Sequence, residues 1–282
     1  VGVPAVVMIS EHYNQVLRAI ERKENVTLKL DVKAQFTSDK DEMGFNTLAE
    51  IPGGSRKDEL VIIGAHLDSR HTGTGASDNA AGVAVMMEAM RILKAIRVKP
   101  KRTIRIALWS GEEQGLIGSS EYVKQHFAEL PAPADPKLKD LPRSLHENPL
   151  PPVIKSGHKT VSVYFNYDNG GGKIRGIYAQ ENLAAADIFR QWIAPMQDLG
   201  VTTVTNRNTG STDHVSFDRV GIPGFQFVQD NLDYFTHVHH THLDGLDHVH
   251  VDDLRQSAVV VASMVYLAAM RDDMMPRKPL SP

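Results

Sequence analysis

The residues of this chain best suited to chemistry are carboxylates and imidazoles that follow apolar runs of sequence. In chain order they are His66, Asp68, Asp78, Glu112, Glu113, Asp168 and six histidines between positions 237 and 250. Carboxylates that converge without a cation repel one another and raise one another's pKa values. Mixed imidazole and carboxylate ligands suit zinc and related divalent ions. The residue types therefore predict a metal centre, provided that the fold brings them together.

The number of candidate ligands favours two metal ions over one. A catalytic zinc ion takes about three protein ligands, whereas the chain offers five or six candidates. Two ions about 3.5–4 Å apart, which share a carboxylate and a water molecule, would use such a set. Taken singly, each candidate also has an ordinary interpretation as a structural histidine, a helix cap or a solvated loop acid. Their joint occurrence after successive strands favours the metal centre.

Apolar runs and their periodicity predict the elements that must position these side chains. Strands are predicted at 60–65, 103–109, 161–167, 174–179 and 224–228, and helices at 79–94, 119–130, 183–199 and 252–270. This alternation predicts an α/β fold with a central mixed, largely parallel sheet and helices on both faces. In open sheets of this kind, ligands bind just beyond the carboxyl ends of the strands. His66, Glu112 and Asp168 all follow predicted strands.

Three further regions are predicted to lie outside this alternation. Residues 26–36 alternate apolar and polar side chains, which is typical of a half-buried strand, and would form a hairpin with a strand at 45–51. Residues 131–152 contain seven of the 15 prolines, which predicts an irregular surface excursion. The tail from Arg271 is predicted to be frayed.

Composition narrows the class of protein. The 282 residues are 41% hydrophobic and 23% charged, which allows a sizeable core. A net charge of −3 disfavours binding to nucleic acid or to anionic membranes, and no apolar run is long enough to span a bilayer. The absence of cysteine excludes disulfides, thiolate ligands and cysteine nucleophiles.

Five motifs occur in an order that resembles the co-catalytic zinc exopeptidase family, which includes bacterial leucine aminopeptidases and carboxypeptidase Q-like enzymes. They are GAHLDS (64–69), GASDNAAG (75–82), SGEEQGLIGS (110–119), NYDNGG (166–171) and HHTHLD (239–244). The resemblance spans roughly residues 36–270. It implies the three-layer zinc-exopeptidase fold. It also implies a dinuclear zinc-dependent exopeptidase that hydrolyses terminal bonds of peptides or dipeptides.

The resemblance implies two zinc ions per chain and five ligands. The ligands are His66 and Asp168 for one ion, Glu113 and His240 for the other, and Asp78 as the bridge. His239 and His242 remain alternatives to His240 because they lie in the same motif.

The remaining motif residues are implied to act beside the metals. Glu112 is the expected general base, which takes a proton from the metal-bridging water. Asp68 is expected to fix the imidazole of His66. Asp213 and His214 match a family motif on the substrate side, and Arg70 and Tyr234 are further substrate-side candidates because they lie near the metal-binding loops. For Asp213 and His214 a helix cap with a packed histidine is the alternative.

The first 25 residues are predicted to lie outside the catalytic domain. They resemble the closing segment of a protease-associated domain, so they are either a remnant of such a domain or a native β-α extension. The catalytic domain is then 26–282. Relatives with a protease-associated domain are mostly exported, so the resemblance implies a secreted or periplasmic protein.

Other functions stay open from sequence. Within enzymes, the same fold supports a glutaminyl-cyclase-like acyltransferase with a single zinc ion. A metal-free receptor-type binding module is the alternative from another class. The choice between aminopeptidase and carboxypeptidase or dipeptidase is unresolved, as is assembly into a homo-oligomer. The expected partner is a peptide substrate, with no nucleic acid and no membrane.

Overall fold

The computed structural model describes residues 6, 8–33, 43–70, 73–133, 135–138 and 150–279. The helices are α1 (Ser10–Glu21), α2 (Ala81–Ala95), α3 (Ile117–His126), α4 (Leu183–Ile193), α5 (His214–Asp218) and α6 (Val251–Met270). The strands are β1 (Thr47–Ile51), β2 (Arg56–His66), β3 (Arg102–Trp109), β4 (Ala128–Glu129), β5 (Val153–Ile154), β6 (Val161–Asn166), β7 (Ile174–Tyr178), β8 (Thr203–Thr205) and β9 (Gly224–Gln229). None of the helices in these described ranges is long and apolar enough to cross a membrane.

Seven strands form one mixed sheet in the order β1-β3-β2-β6-β9-β7-β8. The central strands β3, β2, β6 and β9 run parallel to one another. At one edge β1 lies antiparallel to β3, and at the other β7 lies antiparallel to β9 and parallel to β8. The prediction of a central mixed, largely parallel sheet is confirmed.

The two faces of the sheet carry separate apolar layers. Successive residues of a strand point to opposite faces. On β2, Val61 and Ile63 join a core that includes residues of α2, α4 and α6. Ile62 joins a second core, with Tyr122 of α3 and Phe217 of α5. Helices therefore cover both faces, and the predicted three-layer fold is confirmed.

The predicted strand at 26–36 is wrong over its described part. Residues 26–33 form no strand, and Leu28 and Leu30 are 57% and 56% exposed. The predicted partner strand exists as β1, but it pairs with β3 and not with these residues. Alternation indicates which face of an extended segment is apolar, and it does not show that a partner strand is available. Residues 34–36 lie outside the described residues.

The prediction of a frayed tail is wrong as far as residue 279. Met275 is 2% exposed, and its backbone N–H donates to the Ser162 hydroxyl at 3.1 Å. Arg277 donates to the backbone oxygen of Val161 at 2.8 Å. Hydrogen bonds to interior residues hold this segment in place, and the proline content of the tail does not predict such bonds.

Two predicted regions are described only in part. Of the proline-rich stretch, residues 131–133, 135–138 and 150–152 contain one short 3₁₀ turn, Pro136–Leu138, and no strand. At the N-terminus, α1 has no buried residue. The division of the chain at residue 25 stays a prediction.

Candidate active site

The carboxyl ends of neighbouring parallel strands bring the predicted ligands to one cleft. His66 is the last residue of β2, Glu112 and Glu113 follow β3, and Asp168 follows β6. The cleft has a volume of about 690 Å³. Its acidic and histidine lining residues are Asp78, Glu112, Glu113, Asp168, His239 and His240.

His66 lies at the centre of one ligand group, here called the His66 group, with Asp168 and one oxygen of Asp78. Its Nε2 lies 3.1 Å from Asp78 Oδ1, 3.3 Å from Asp168 Oδ1 and 4.0 Å from Glu112 Oε2. Its Nδ1 lies 2.9 Å from the backbone oxygen of Asp68. Because a carbonyl only accepts, Nδ1 carries a proton, and Nε2 is the nitrogen that faces the carboxylates. A cation at this nitrogen, either its own proton or a metal ion, would offset their charge.

The second group, here called the His240 group, consists of His240, Glu113 and the other oxygen of Asp78. His240 Nε2 lies 3.1 Å from Glu113 Oε2 and 3.6 Å from Asp78 Oδ2. Arg70 Nε donates to the same Glu113 oxygen at 2.9 Å. Glu113 Oε1 is buried and has no hydrogen-bond partner among the described residues. A buried carboxylate oxygen without a hydrogen-bond partner, beside an imidazole, suits a metal ligand.

Of the three candidate histidines, His239 and His240 line the cleft, and His240 also contacts Glu113. The ring of His239 stacks on that of His240, with centroids 3.7 Å apart. A nitrogen of His239 also lies within 4.8 Å of ligand atoms on Asp78 and His240. His242 is exposed and is not among the residues that line the cleft.

The turn that carries Asp78 is held by Asp244, for which sequence reasoning found no role. The Asp244 carboxylate accepts the backbone N–H groups of Ser77 at 2.7 Å and of Asp78 at 3.0 Å. Asn79 donates from its amide to the backbone oxygen of Tyr167 at 2.9 Å, and the Asp78–Asn79 peptide is cis. These contacts turn the two Asp78 oxygens toward different imidazoles.

Asp68 holds the loop that carries the two glutamates. Its two carboxylate oxygens accept the backbone N–H groups of Glu112 and Glu113, each at 3.1 Å. Burial would raise the pKa of Asp68, but the neighbouring His66 and these two N–H groups hold it below its ordinary value. Asp68 therefore touches both the predicted ligand His66 and the predicted base.

Burial and like charge shape the electrostatics of the cleft. They raise the pKa of Glu112 to about 9, with burial acting most strongly and the charge of Asp168 next. Burial would raise the pKa of Asp168, but the charge of His66 keeps it below its ordinary value. Conversely, burial would lower the pKa of His66, and the charge of Asp168 raises it well above the usual range. The cluster is an acidic site that favours positive charge.

The family model for peptidase family M28 matches residues 46–265. The chain belongs to peptidase family M28. Its sequence is 29% identical to carboxypeptidase Q of Mus musculus over 98% of this chain and 52% of that protein. The chain thus spans about half the length of the curated relatives that it matches.

Solved structures resemble this M28 chain in fold. A peptidase M28 precursor from Shewanella amazonensis is 31% identical, with a TM-score of 0.67 over 84% of this chain and 47% of that one. A zinc aminopeptidase from Bacillus subtilis is 24% identical, with a TM-score of 0.60 over 80% of this chain and 50% of that one. The second likeness shows the fold alone.

A directed chain of hydrogen bonds lies beneath the M28 site, and sequence reasoning missed it. Trp109 Nε1 donates to the Tyr164 hydroxyl at 2.8 Å, which donates to Asn166 Oδ1 at 2.5 Å. Asn166 Nδ2 then donates to the Thr212 hydroxyl oxygen at 2.7 Å. Because an indole N–H only donates, it sets the direction of every following bond.

Thr212 passes this direction on to a predicted ligand. Its hydroxyl oxygen also accepts the backbone N–H of Asp213 at 2.7 Å, so both acceptor sites are used. The hydroxyl proton is left to donate, and a hydrogen bond from Thr212 stabilises the ionised form of Asp168. The chain of donors therefore orients Asp168.

The four residues expected on the substrate side separate into two pairs. Arg70 and Tyr234 line the cleft. Asp213 and His214 are 0% exposed, so their positions favour support of the cleft wall over contact with a substrate. Asp213 lies at the start of α5 but makes no capping hydrogen bond through its side chain. His214 Nε2 lies 3.0 Å from the backbone oxygen of Thr209, which lines the cleft.

Proposed function

We propose that this chain carries the catalytic site of a dinuclear zinc exopeptidase that hydrolyses terminal bonds of peptides or dipeptides. The observation that carries the proposal is the pair of facing ligand groups that share Asp78, with the buried carboxyl of Glu112 beside them. Membership of family M28 supports the same reaction class. The names of the similar proteins include both a carboxypeptidase and a zinc aminopeptidase.

The side chains fit two zinc ions. His66 and Asp168 would hold one ion, Glu113 and His240 the other, and Asp78 both. The fit rests on the orphaned Glu113 oxygen, on the His66 Nε2 that faces carboxylates, and on a nitrogen and oxygen donor set that suits zinc. Two bound zinc ions would polarise the scissile carbonyl and lower the pKa of the attacking water.

Glu112 is the proposed general base. Its carboxyl is buried at the cleft, 4.0 Å from the imidazole of His66, and Asp68 holds its backbone N–H. It would accept a proton from the attacking water and return it to the leaving amine. Bound cations would favour the ionised form of Glu112, which is the form that accepts this proton.

With two zinc ions bound, the cleft would favour a substrate with a free carboxylate. The acidic residues of its described lining, Asp78, Glu112, Glu113 and Asp168, all have roles at the metals or as the base. The cationic lining residues are Arg70 and Arg219, and a guanidinium binds carboxylates in a planar fork. We therefore propose Arg70 and Tyr234 as substrate contacts, and a carboxypeptidase or dipeptidase activity over an aminopeptidase.

The direct test compares the unaltered chain with Glu112→Gln. The variant should retain two zinc ions by elemental analysis and lose dipeptide hydrolysis by at least about a thousandfold. Hydrolysis that persists in Glu112→Gln would contradict the assignment of the base. One zinc per chain with cyclisation of N-terminal glutamine would favour the acyltransferase, and no zinc would favour a binding module.

A second assay compares a free dipeptide, its C-terminal amide and its N-acetyl form. A carboxypeptidase or dipeptidase should lose most activity on the amide. Loss on the acetylated substrate alone would favour an aminopeptidase. Export to the periplasm or the medium and the domain division at residue 25 remain predictions that rest on the resemblance, and assembly into a homo-oligomer stays open.

A further inference from the structure

Arg70 places a positive charge beside one ligand group. Its Nε donates to Glu113 Oε2 at 2.9 Å, and the same oxygen lies 3.1 Å from His240 Nε2. The side chain of Glu113 is 2% exposed, so this ion pair is buried on its acidic side. A cation held by the His240 group would therefore lie close to a guanidinium that cannot lose its charge.

The His66 group has a different environment. Asp168 lies 3.3 Å from His66 Nε2, and Glu112 lies 4.0 Å from the same nitrogen. Two carboxyl groups and one oxygen of Asp78 thus surround a single imidazole. The two groups share Asp78, but Arg70 offsets the charge of Glu113, whereas no arginine is among the described contacts of Asp168.

We propose that Arg70 makes the two metal positions unequal, so that zinc binds first and more tightly at the His66 group and second at the His240 group. The proposal rests on the dinuclear site proposed above. The second ion would bind more weakly because the Arg70 guanidinium repels it. Both positive charges would lie close together, since both would contact the same oxygen of Glu113. The side chain of Arg70 is 46% exposed, so salt screens part of this repulsion.

The test is a zinc titration of the metal-free chain against a competing fluorescent chelator. Two steps should be resolved, with dissociation constants at least about tenfold apart in low salt. Arg70→Met should tighten the weaker step by about tenfold and leave the tighter step within about threefold. Arg70→Lys retains the positive charge and should keep the two steps apart. In 1 M KCl the separation should narrow in the unaltered chain.

Two variants assign the steps to the groups. Asp168→Asn should remove the tight step, and Glu113→Gln should remove the weak one. Arg91→Met is the matched control, because it removes an exposed guanidinium that pairs with Glu88 outside the cleft lining and should leave both steps unchanged.

The outcomes separate this inference from the proposed function. Fewer than two zinc ions in both the unaltered chain and Arg70→Met would overturn the dinuclear site itself. Two ions with equal affinity, or a weaker second step in Arg70→Met, would overturn only the role of Arg70. The same change in Arg91→Met, or loss of the tight step in Glu113→Gln, would also overturn it.

Discussion

Two regions of this molecule have apolar patterns that predict strands, yet one region is buried and the other is exposed to solvent. The strands β2, β3 and β6 are buried between helices, and their carboxyl ends hold the candidate ligands. Residues 10–33 contain an amphipathic helix and an alternating segment, yet α1 has no buried residue and Leu28 is 57% exposed. Side chains are held in fixed positions more readily where the backbone behind them is paired and packed.

The largest expected difference between the regions is in activity. Asp78→Asn removes the shared carboxylate from both ligand groups, so zinc content should fall and kcat/KM on a dipeptide should drop by about a thousandfold or more. Asp31→Asn makes the same change in the exposed region, where the side chain is 72% exposed. It should leave kcat/KM within about twofold. Equal effects of the two substitutions would break the comparison.

A second contrast concerns stability. Phe165 is 0% exposed and packs among Phe189, Phe225 and Phe227. Phe165→Ala should lower the free energy of unfolding by about 3–5 kcal/mol. Leu30→Ala, at a side chain that is 56% exposed, should change it by less than about 0.5 kcal/mol. Urea denaturation measures both, and a large loss in Leu30→Ala would show that residues 26–33 pack against something.

The third prediction concerns the buried carboxyl of Asp213. Burial raises its pKa to about 7 in the folded chain, against 3.8 for an ordinary Asp. The folded state holds the proton more tightly, so this contribution to stability is complete at low pH and is lost as the pH rises toward 7. Asparagine does not titrate, so metal-free Asp213→Asn should not lose this stability as the pH rises. Between pH 5 and pH 8, its free energy of unfolding should therefore increase by about 1–3 kcal/mol relative to that of the unaltered chain.

Denaturation at both pH values with a chelator present makes that measurement. A constant difference between the two chains would mean that Asp213 is ionised in the fold, and hence that a partner neutralises it. Leu30→Ala should change the free energy of unfolding by the same amount at both pH values, because the substitution removes no titratable group.

The positions of the candidate metal ligands could be predicted because they lie at the ends of strands that apolar runs already locate. His66, Glu113 and Asp168 each follow such a run within a few residues, and the order of parallel strands brings their ends together. Asp244 could not be assigned in this way. It binds backbone N–H groups 167 and 166 residues away in the sequence, and only the folded chain brings these together.

The same limit applies to the hydrogen bonds below the site and to the exposed segment. Asn166 forms a hydrogen bond with Thr212, which is 46 residues away in the sequence, and neither residue type alone predicts this bond. In residues 26–33 the alternation of apolar and polar side chains predicts a strand. The described structure contains no strand there, because no neighbouring strand pairs with this segment. Local sequence reports which faces are apolar, whereas pairing depends on the rest of the chain.

The smallest expected effect tests whether the hydrogen bonds from Trp109 matter for metal binding. Thr212→Val keeps the shape of the side chain but removes the donor to Asp168 and leaves Asn166 Nδ2 with one partner fewer. Zinc affinity of the tighter step should fall by about tenfold, within the range found for supports of metal ligands. Thr212→Ser retains the hydroxyl and should restore the affinity. Failure of Thr212→Ser to do so would assign the loss to packing, and the site would then owe its order to the sheet alone.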